Sequence, residues 1–111
     1  MGLSVGIITF NEEKRLERTL ESVRSFANEV IIVDSGSTDK THEIAQKFSA
    51  NFFVESWKGY GLQKNSVIDK CKEDWILLID ADEVISPELK NKIIEIVNQS
   101  KDDVYEINFT S

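Results

Sequence analysis

Three carboxylates stand almost side by side in the stretch WILLIDADEVI, Trp75 to Ile85: Asp80, Asp82 and Glu83, delivered by a run of apolar residues. Core packing has no use for them, and carboxylates at close range raise each other's pKa unless a cation intervenes. Residues two apart on an extended segment share a face, so Asp80 and Asp82 can look onto one site. A hard divalent ion such as Mg²⁺ or Mn²⁺ takes this kind of oxygen donor, through one or two carboxylates plus water and ligand phosphates. The competing reading is a solvated acidic turn ahead of a helix, where Glu83 gains from the helix dipole. A bare Asp-x-Asp does not decide between the two. Its place at the end of an apolar strand favours the metal.

Other residues carry chemistry only in company. Asp34 ends the run EVIIVD, ahead of SGSTD. Its carboxylate can accept hydrogen bonds from a base or ribose, or equally hold its own turn through local backbone N–H groups. Asp39 reads as a helix-start residue. Lys64, in GLQKN beside a glycine loop, can meet a diphosphate as a point charge, or simply be solvated. Trp57, Lys58 and Tyr60 share that loop and could line a mouth. His42 reads as a surface helix residue. Cys71 is the single cysteine, so no intrachain disulfide forms, which fits a reducing compartment. It falls on the apolar side of a helical pattern and reads as core. A dinucleotide fingerprint, a P-loop, a G-x-S-x-G elbow and Cys/His metal spacing are all missing.

The elements that must position these groups follow from periodicity. SVGIIT (4–9) is short, apolar and β-branched, hence a buried strand. Asn11 can cap the next helix, whose face is Leu16, Leu20, Val23 and Ala27. EVIIV (29–33) is a second strand. Ser37 or Thr38 can cap the following helix, which buries Ile44, Ala45 and Phe48. ANFFVE (50–55) is a third strand. A helix over 62–72 buries Leu62, Val67 or Ile68, and Cys71. WILLI (75–79) is apolar on both faces, as a central strand is. Ser86-Pro87 starts a helix with Leu89, Ile93, Ile96 and Val97 buried. DVYEINF (103–109) alternates like a last strand. The order β-α-β-α-β-α-β-α-β implies a three-layer α-β-α fold with a mostly parallel sheet. Such sheets bind ligands at the carboxyl ends of their strands, where residues 9–11, 34–39 and 80–83 would converge.

The 111 residues suit one domain spanning 1–111. They are 41% hydrophobic and 30% charged, with a formal charge of −7. That charge argues against nucleic acid as partner, but not against a small anion held through a metal ion. No apolar run reaches the roughly 20 residues of a membrane span. The amino terminus reads directly into a strand and not as a signal peptide. No closing helix follows the last strand, and the chain is expected to be the truncated front part of a longer protein.

Taken together, ITFNEE, VIIVDSGSTDKT, GYGLQKN and LLIDADEV stand in an order and spacing that resemble family 2 glycosyltransferases of the GT-A fold. The nearest flavour is the bacterial lipopolysaccharide-core β-glucosyltransferase-like group. The resemblance covers Ser4 to about Val97. It implies a Rossmann-like nucleotide-sugar-binding half domain. Thr9, Phe10 and Asn11 would border the nucleoside, with Phe10 against the base and Glu12 or Glu13 supporting the pocket. Asp34 and the adjacent Ser35 would lie at the nucleoside, and Lys64 near the diphosphate. Asp80, Ala81 and Asp82 match the family's Asp-x-Asp, with Asp82 the better metal ligand for Mg²⁺ or Mn²⁺ and Asp80 nearer the ribose. Many members carry a second acid where this chain has Ser35, which weakens a preference for uracil, although a UDP-sugar remains the favoured donor. The acceptor would be a saccharide or lipid-linked saccharide, and the location cytoplasmic, including the inner face of the membrane. The catalytic base of such inverting enzymes lies in a second half, beyond residue 111. The rival expectation is a non-catalytic, divalent-metal-binding regulatory module of the receiver kind. That reading wants a lysine at a later strand end, whereas Lys64 falls in a helix.

Overall fold

A computed structural model describes residues 2–99, and the backbone of 105–108. Nine elements alternate: β1 (Leu3–Thr9), α1 (Leu16–Val23), β2 (Glu29–Asp34), α2 (Thr41–Lys47), β3 (Asn51–Val54), α3 (Tyr60–Lys70), β4 (Trp75–Asp80), α4 (Pro87–Gln99) and β5 (Tyr105–Asn108). The strands form one five-stranded sheet in the order β3-β2-β1-β4-β5. Every neighbouring pair is parallel. This is the α/β layering that the alternation predicts. The expected last strand is present as β5, and its flanking residues lie outside the described ones.

Strand periodicity divides the core in two. Leu3, Val5 and Ile7 of β1 and Leu77 and Ile79 of β4 pack with Leu16, Leu20, Val23, Ala45, Ile93 and Val97 from α1, α2 and α4. On the other face Ile31, Val33, Ile76 and Leu78 meet Val67 of α3, with Ile8, Ile68 and Cys71 partly buried beside them. Both faces of β4 are therefore covered, which is why WILLI carries no alternation.

Helix α3 approaches β1 at Gly6. A Cβ placed there would stand 2.4 Å from Val67 Cγ1 and 2.9 Å from Leu78 Cδ2. Gly6→Ala is expected to cost about 1–3 kcal/mol through overpacking, read as a lower urea midpoint. An unchanged midpoint would show that α3 gives way freely.

Several local expectations need correction. Asn11 does not cap α1; it adopts φ 51°, and its side chain serves the neighbouring loop instead. Neither Ser37 nor Thr38 caps α2. Lys40 holds the cap position without a side-chain cap, and Asp39, one residue earlier, accepts the Thr41 N–H at 2.9 Å. In α3 Val67 is buried as expected, but its buried companion is Gln63, fully enclosed, while Leu62 is 59% exposed. Ile96 of α4 is likewise exposed. Ser86 does cap α4, accepting the Leu89 N–H at 3.2 Å.

Candidate functional site

The carboxyl ends of β1, β2 and β4 form one rim. Thr9 pairs in register with Asp34, and Ile8 with Asp80. With β1 between them, Asp34 and Asp80 stand two strand spacings apart, about 10 Å. Chain-distant groups thus meet because the strand order puts β2 and β4 on either side of β1.

Asp34 is 1% exposed. Its Oδ1 accepts the hydroxyls of Thr9 (2.6 Å) and Ser37 (2.6 Å). Its Oδ2 accepts the N–H groups of Gly36 (2.9 Å) and Ser37 (2.6 Å). Burial pushes its pKa up, but the hydrogen bonds from Ser37, Thr9 and Gly36 outweigh it and hold the carboxyl below its ordinary value. Of the two roles open to Asp34 in the sequence, this geometry matches the holding of its turn. Gly36 makes the turn feasible at φ 102°.

The β1–α1 loop is laced onto that turn. Asn11 N–H donates to Ser37 Oγ (2.7 Å), and Thr38 N–H donates to Asn11 Oδ1 (2.8 Å). Glu12 N–H donates to Thr41 Oγ1, and Glu13 N–H to Asp39 Oδ2. Asp39 is thereby a loop organiser. Glu13 contributes its backbone and is otherwise exposed.

Between these loops opens a cleft of about 450 Å³ lined by Ile8, Thr9, Phe10, Glu12, Ser35 and Trp57. Phe10 and Trp57 are each 56% exposed. Glu12, not Glu13, is the acid at its wall, and it pairs with Arg15 at 2.6 Å. The Ser35 Oγ is buried with no hydrogen-bond partner among the described residues.

The Asp-x-Asp turn closes through Glu83 N–H donating to the Asp80 carbonyl (3.0 Å). Glu83 Oε1 accepts the Asp80 N–H at 2.9 Å, so this acid braces the turn. Thr19 donates to the Ala81 carbonyl (2.6 Å), and Ser22 Oγ accepts the Ile85 N–H (3.0 Å). Ala81 is buried in the core and is not among the residues that line this cleft. Thr19 and Ser22 escaped the sequence reading. Thr19 stands three residues after Leu16, on the apolar face of α1, and a hydroxyl there was the available signal.

Asp82 is exposed at the turn's tip, with Asp80 half-buried beneath it. Tyr60 donates its hydroxyl to Asp80 Oδ1 at 3.3 Å, and Lys64 Nζ lies 5.1 Å from the Tyr60 ring centroid. Burial, then the Asp80 charge, raises the Tyr60 pKa, so it stays a donor at neutral pH. The hydrogen bond and charge of Glu12 raise the pKa of Arg15, with a smaller push from Asp82. No group of three or more His, Cys, Asp or Glu side chains is gathered for a metal among the described residues. Two carboxylates on an open turn suit an ion that shares its remaining positions with ligand oxygens, as Mg²⁺ and Mn²⁺ do. They do not suit one that needs an all-protein cage.

Comparison with known proteins bears on this rim. The sequence model described as Glycosyl transferase family 2 matches residues 4–109. An uncharacterized glycosyltransferase of Rickettsia bellii is 48% identical over 103 residues, covering 93% of this chain and 35% of the relative. The lipopolysaccharide core biosynthesis glycosyltransferase LpsC of Rhizobium meliloti is 37% identical over 107 residues, covering 92% and 39%. Among solved structures, glucosyl-3-phosphoglycerate synthase of Mycobacterium tuberculosis, in complex with Mn²⁺, UDP and glucosyl-3-phosphoglycerate, superposes with a TM-score of 0.64. That match is 25% identical and covers 72% of this chain and 33% of the other. The chain spans little more than a third of the length of these curated relatives.

Proposed function

This chain belongs to glycosyl transferase family 2, and from that premise we propose that it is the donor-binding portion of an inverting sugar transferase. The donor is a nucleoside-diphosphate sugar, with a UDP-sugar favoured. The observation that supports this is the single rim on which the aromatic cleft, the Asp80–Asp82 turn and Lys64 meet. The structural neighbour that holds UDP and Mn²⁺ supports the choice of nucleotide and ion. The relative named for lipopolysaccharide core biosynthesis supports a saccharide or lipid-linked saccharide as acceptor, in cell-surface polysaccharide assembly. Such an acceptor fits a protein working in the cytoplasm at the inner face of the membrane. Among the described residues no helix is long and apolar enough to cross a membrane. The regulatory-module alternative has no observation in its favour.

In the reaction, an acceptor hydroxyl oxygen forms a bond to the anomeric carbon as the bond from that carbon to the diphosphate oxygen breaks. The electron pair leaves with the nucleoside diphosphate, and the hydroxyl proton goes to a base that we place outside these 111 residues. Asp82 and Asp80 would hold Mg²⁺ or Mn²⁺, which when bound neutralises charge developing on the leaving diphosphate. Lys64 adds a point charge for the same phosphates. Phe10 offers a face to the base, and Tyr60 fixes the orientation of Asp80.

A melting experiment with a panel of nucleotide sugars, each with Mn²⁺, tests the donor reading. A UDP-sugar at a hundred times its Kd contributes about 2.7 kcal/mol, which moves Tm by at least several degrees in a domain of this size. If no nucleotide sugar shifts Tm beyond Mn²⁺ alone, the proposal fails.

A further inference from the structure

The loop between β3 and α3 is built in a way that folding alone does not require. Trp57 stands there 56% exposed, against 4% for Trp75, the other tryptophan of the chain. The segment behind Trp57 is held unusually firmly. Gln63 is completely buried, and its side-chain amide grips the loop on both sides of Trp57. Its Nε2 donates to the Glu55 carbonyl (3.3 Å), and its Oε1 accepts the Lys58 N–H (3.2 Å). Glu55 adds a second brace, accepting Lys58 Nζ at 2.7 Å and pairing with Lys70 at 2.6 Å. A buried amide satisfied only by loop backbone costs helix α3 an apolar contact, and what it secures is the position of one exposed indole.

That indole lines the same cleft as Phe10, reached from a different loop. Two exposed aromatic rings on a cleft with a free serine hydroxyl suit a flat heteroaromatic ring with a polar edge. We propose that Trp57 is a donor-positioning residue that packs against the nucleoside of the nucleoside diphosphate, and that Gln63 acts through it as the brace that keeps the indole in place. The inference rests on the donor-binding reading above and adds to it a residue that determines how tightly the nucleoside is held.

The test uses nucleoside diphosphates (UDP, GDP, ADP and CDP) and inorganic pyrophosphate as probes, in Mg²⁺ because Mn²⁺ itself quenches emission. The tightest nucleoside diphosphate quenches the exposed-tryptophan emission of the wild type, and this quenching is absent in Trp57→Phe. By calorimetry Trp57→Ala binds that nucleotide roughly 5- to 100-fold more weakly, the range of a lost stacking contact, while pyrophosphate affinity is unchanged. Gln63→Met weakens nucleotide binding in the wild-type background but not in the Trp57→Ala background. A merely structural role for Gln63 would give the same loss in both, and would overturn the brace. If the wild type binds a nucleoside diphosphate and Trp57→Ala binds it within twofold, the role of Trp57 is overturned and the donor reading stands. If the wild type binds none of the four, it is the donor reading that has failed.

Discussion

Asp82→Ala is expected to cut sugar transfer by the full-length enzyme by about 10²- to 10³-fold or more, the scale of losing a group that stabilises charge in the transition state. The same variant should lose the Mn²⁺-dependent part of UDP binding in calorimetry, while the metal-independent part persists. Its Tm should stay within about 1 °C of wild type, since Asp82 is exposed and makes no side-chain hydrogen bond among the described residues, and surface changes of this kind rarely matter to stability. That combination separates a ligand role from a packing role. Glu83→Gln should have a much smaller effect on transfer, because an amide oxygen can still accept the Asp80 N–H. Ordinary turnover by Asp82→Ala would remove the ion from this turn and, with it, the chemical role assigned to the acidic residues.

Asp34→Ala is expected to produce the largest loss of stability, about 2–4 kcal/mol at neutral pH, because several donors lose one charged acceptor together. It strips hydrogen bonds from Thr9, Gly36 and Ser37 at once. Urea unfolding of the two proteins checks the magnitude, and its pH dependence checks the cause. The folded pKa of Asp34 lies below its ordinary value. Its ionisation therefore contributes stability that is fully present above the unfolded value of about 3.9 and is lost as pH falls through the lower folded value. The gap between wild type and Asp34→Ala should narrow on acidification through that window. A gap constant from pH 7 to pH 2 would mean that Asp34 stabilises by shape and not by charge.

What the sequence discloses and what it withholds divide along physical lines. The strands of the sheet centre are legible because β-branched and apolar residues crowd SVGIIT and WILLI, and burial on both faces leaves no polar alternation to mislead. The rim is legible too, since parallel topology obliges 9–11, 34–39 and 80–83 to one edge. The loops are another matter. Asn11 looks like a helix cap because its type and place fit one, yet the turn organised by Asp34 offers the Thr38 N–H to the same amide oxygen, and tertiary geometry wins. Leu62 and Gln63 exchange the places that hydropathy gives them. A hydropathy pattern cannot register that the backbone of 55–58 needs hydrogen-bond partners, and a buried glutamine supplies them. Ala81 carries no polar signal, and only the fold reveals that its methyl belongs to the core while its carbonyl is tied to Thr19.

Cys71 closes α3 at the amino end of β4, across the sheet from the cleft. Burial, then the charge of Glu29, pushes its thiol up to about 11, so almost no thiolate exists at neutral pH. A second cysteine placed on the open rim, at Thr38 for example, is therefore expected to react with a maleimide dye well ahead of the native thiol. Single-site attachment of a fluorophore beside the cleft needs no cysteine-free background, and loop movement on nucleotide addition can be followed optically in otherwise native protein.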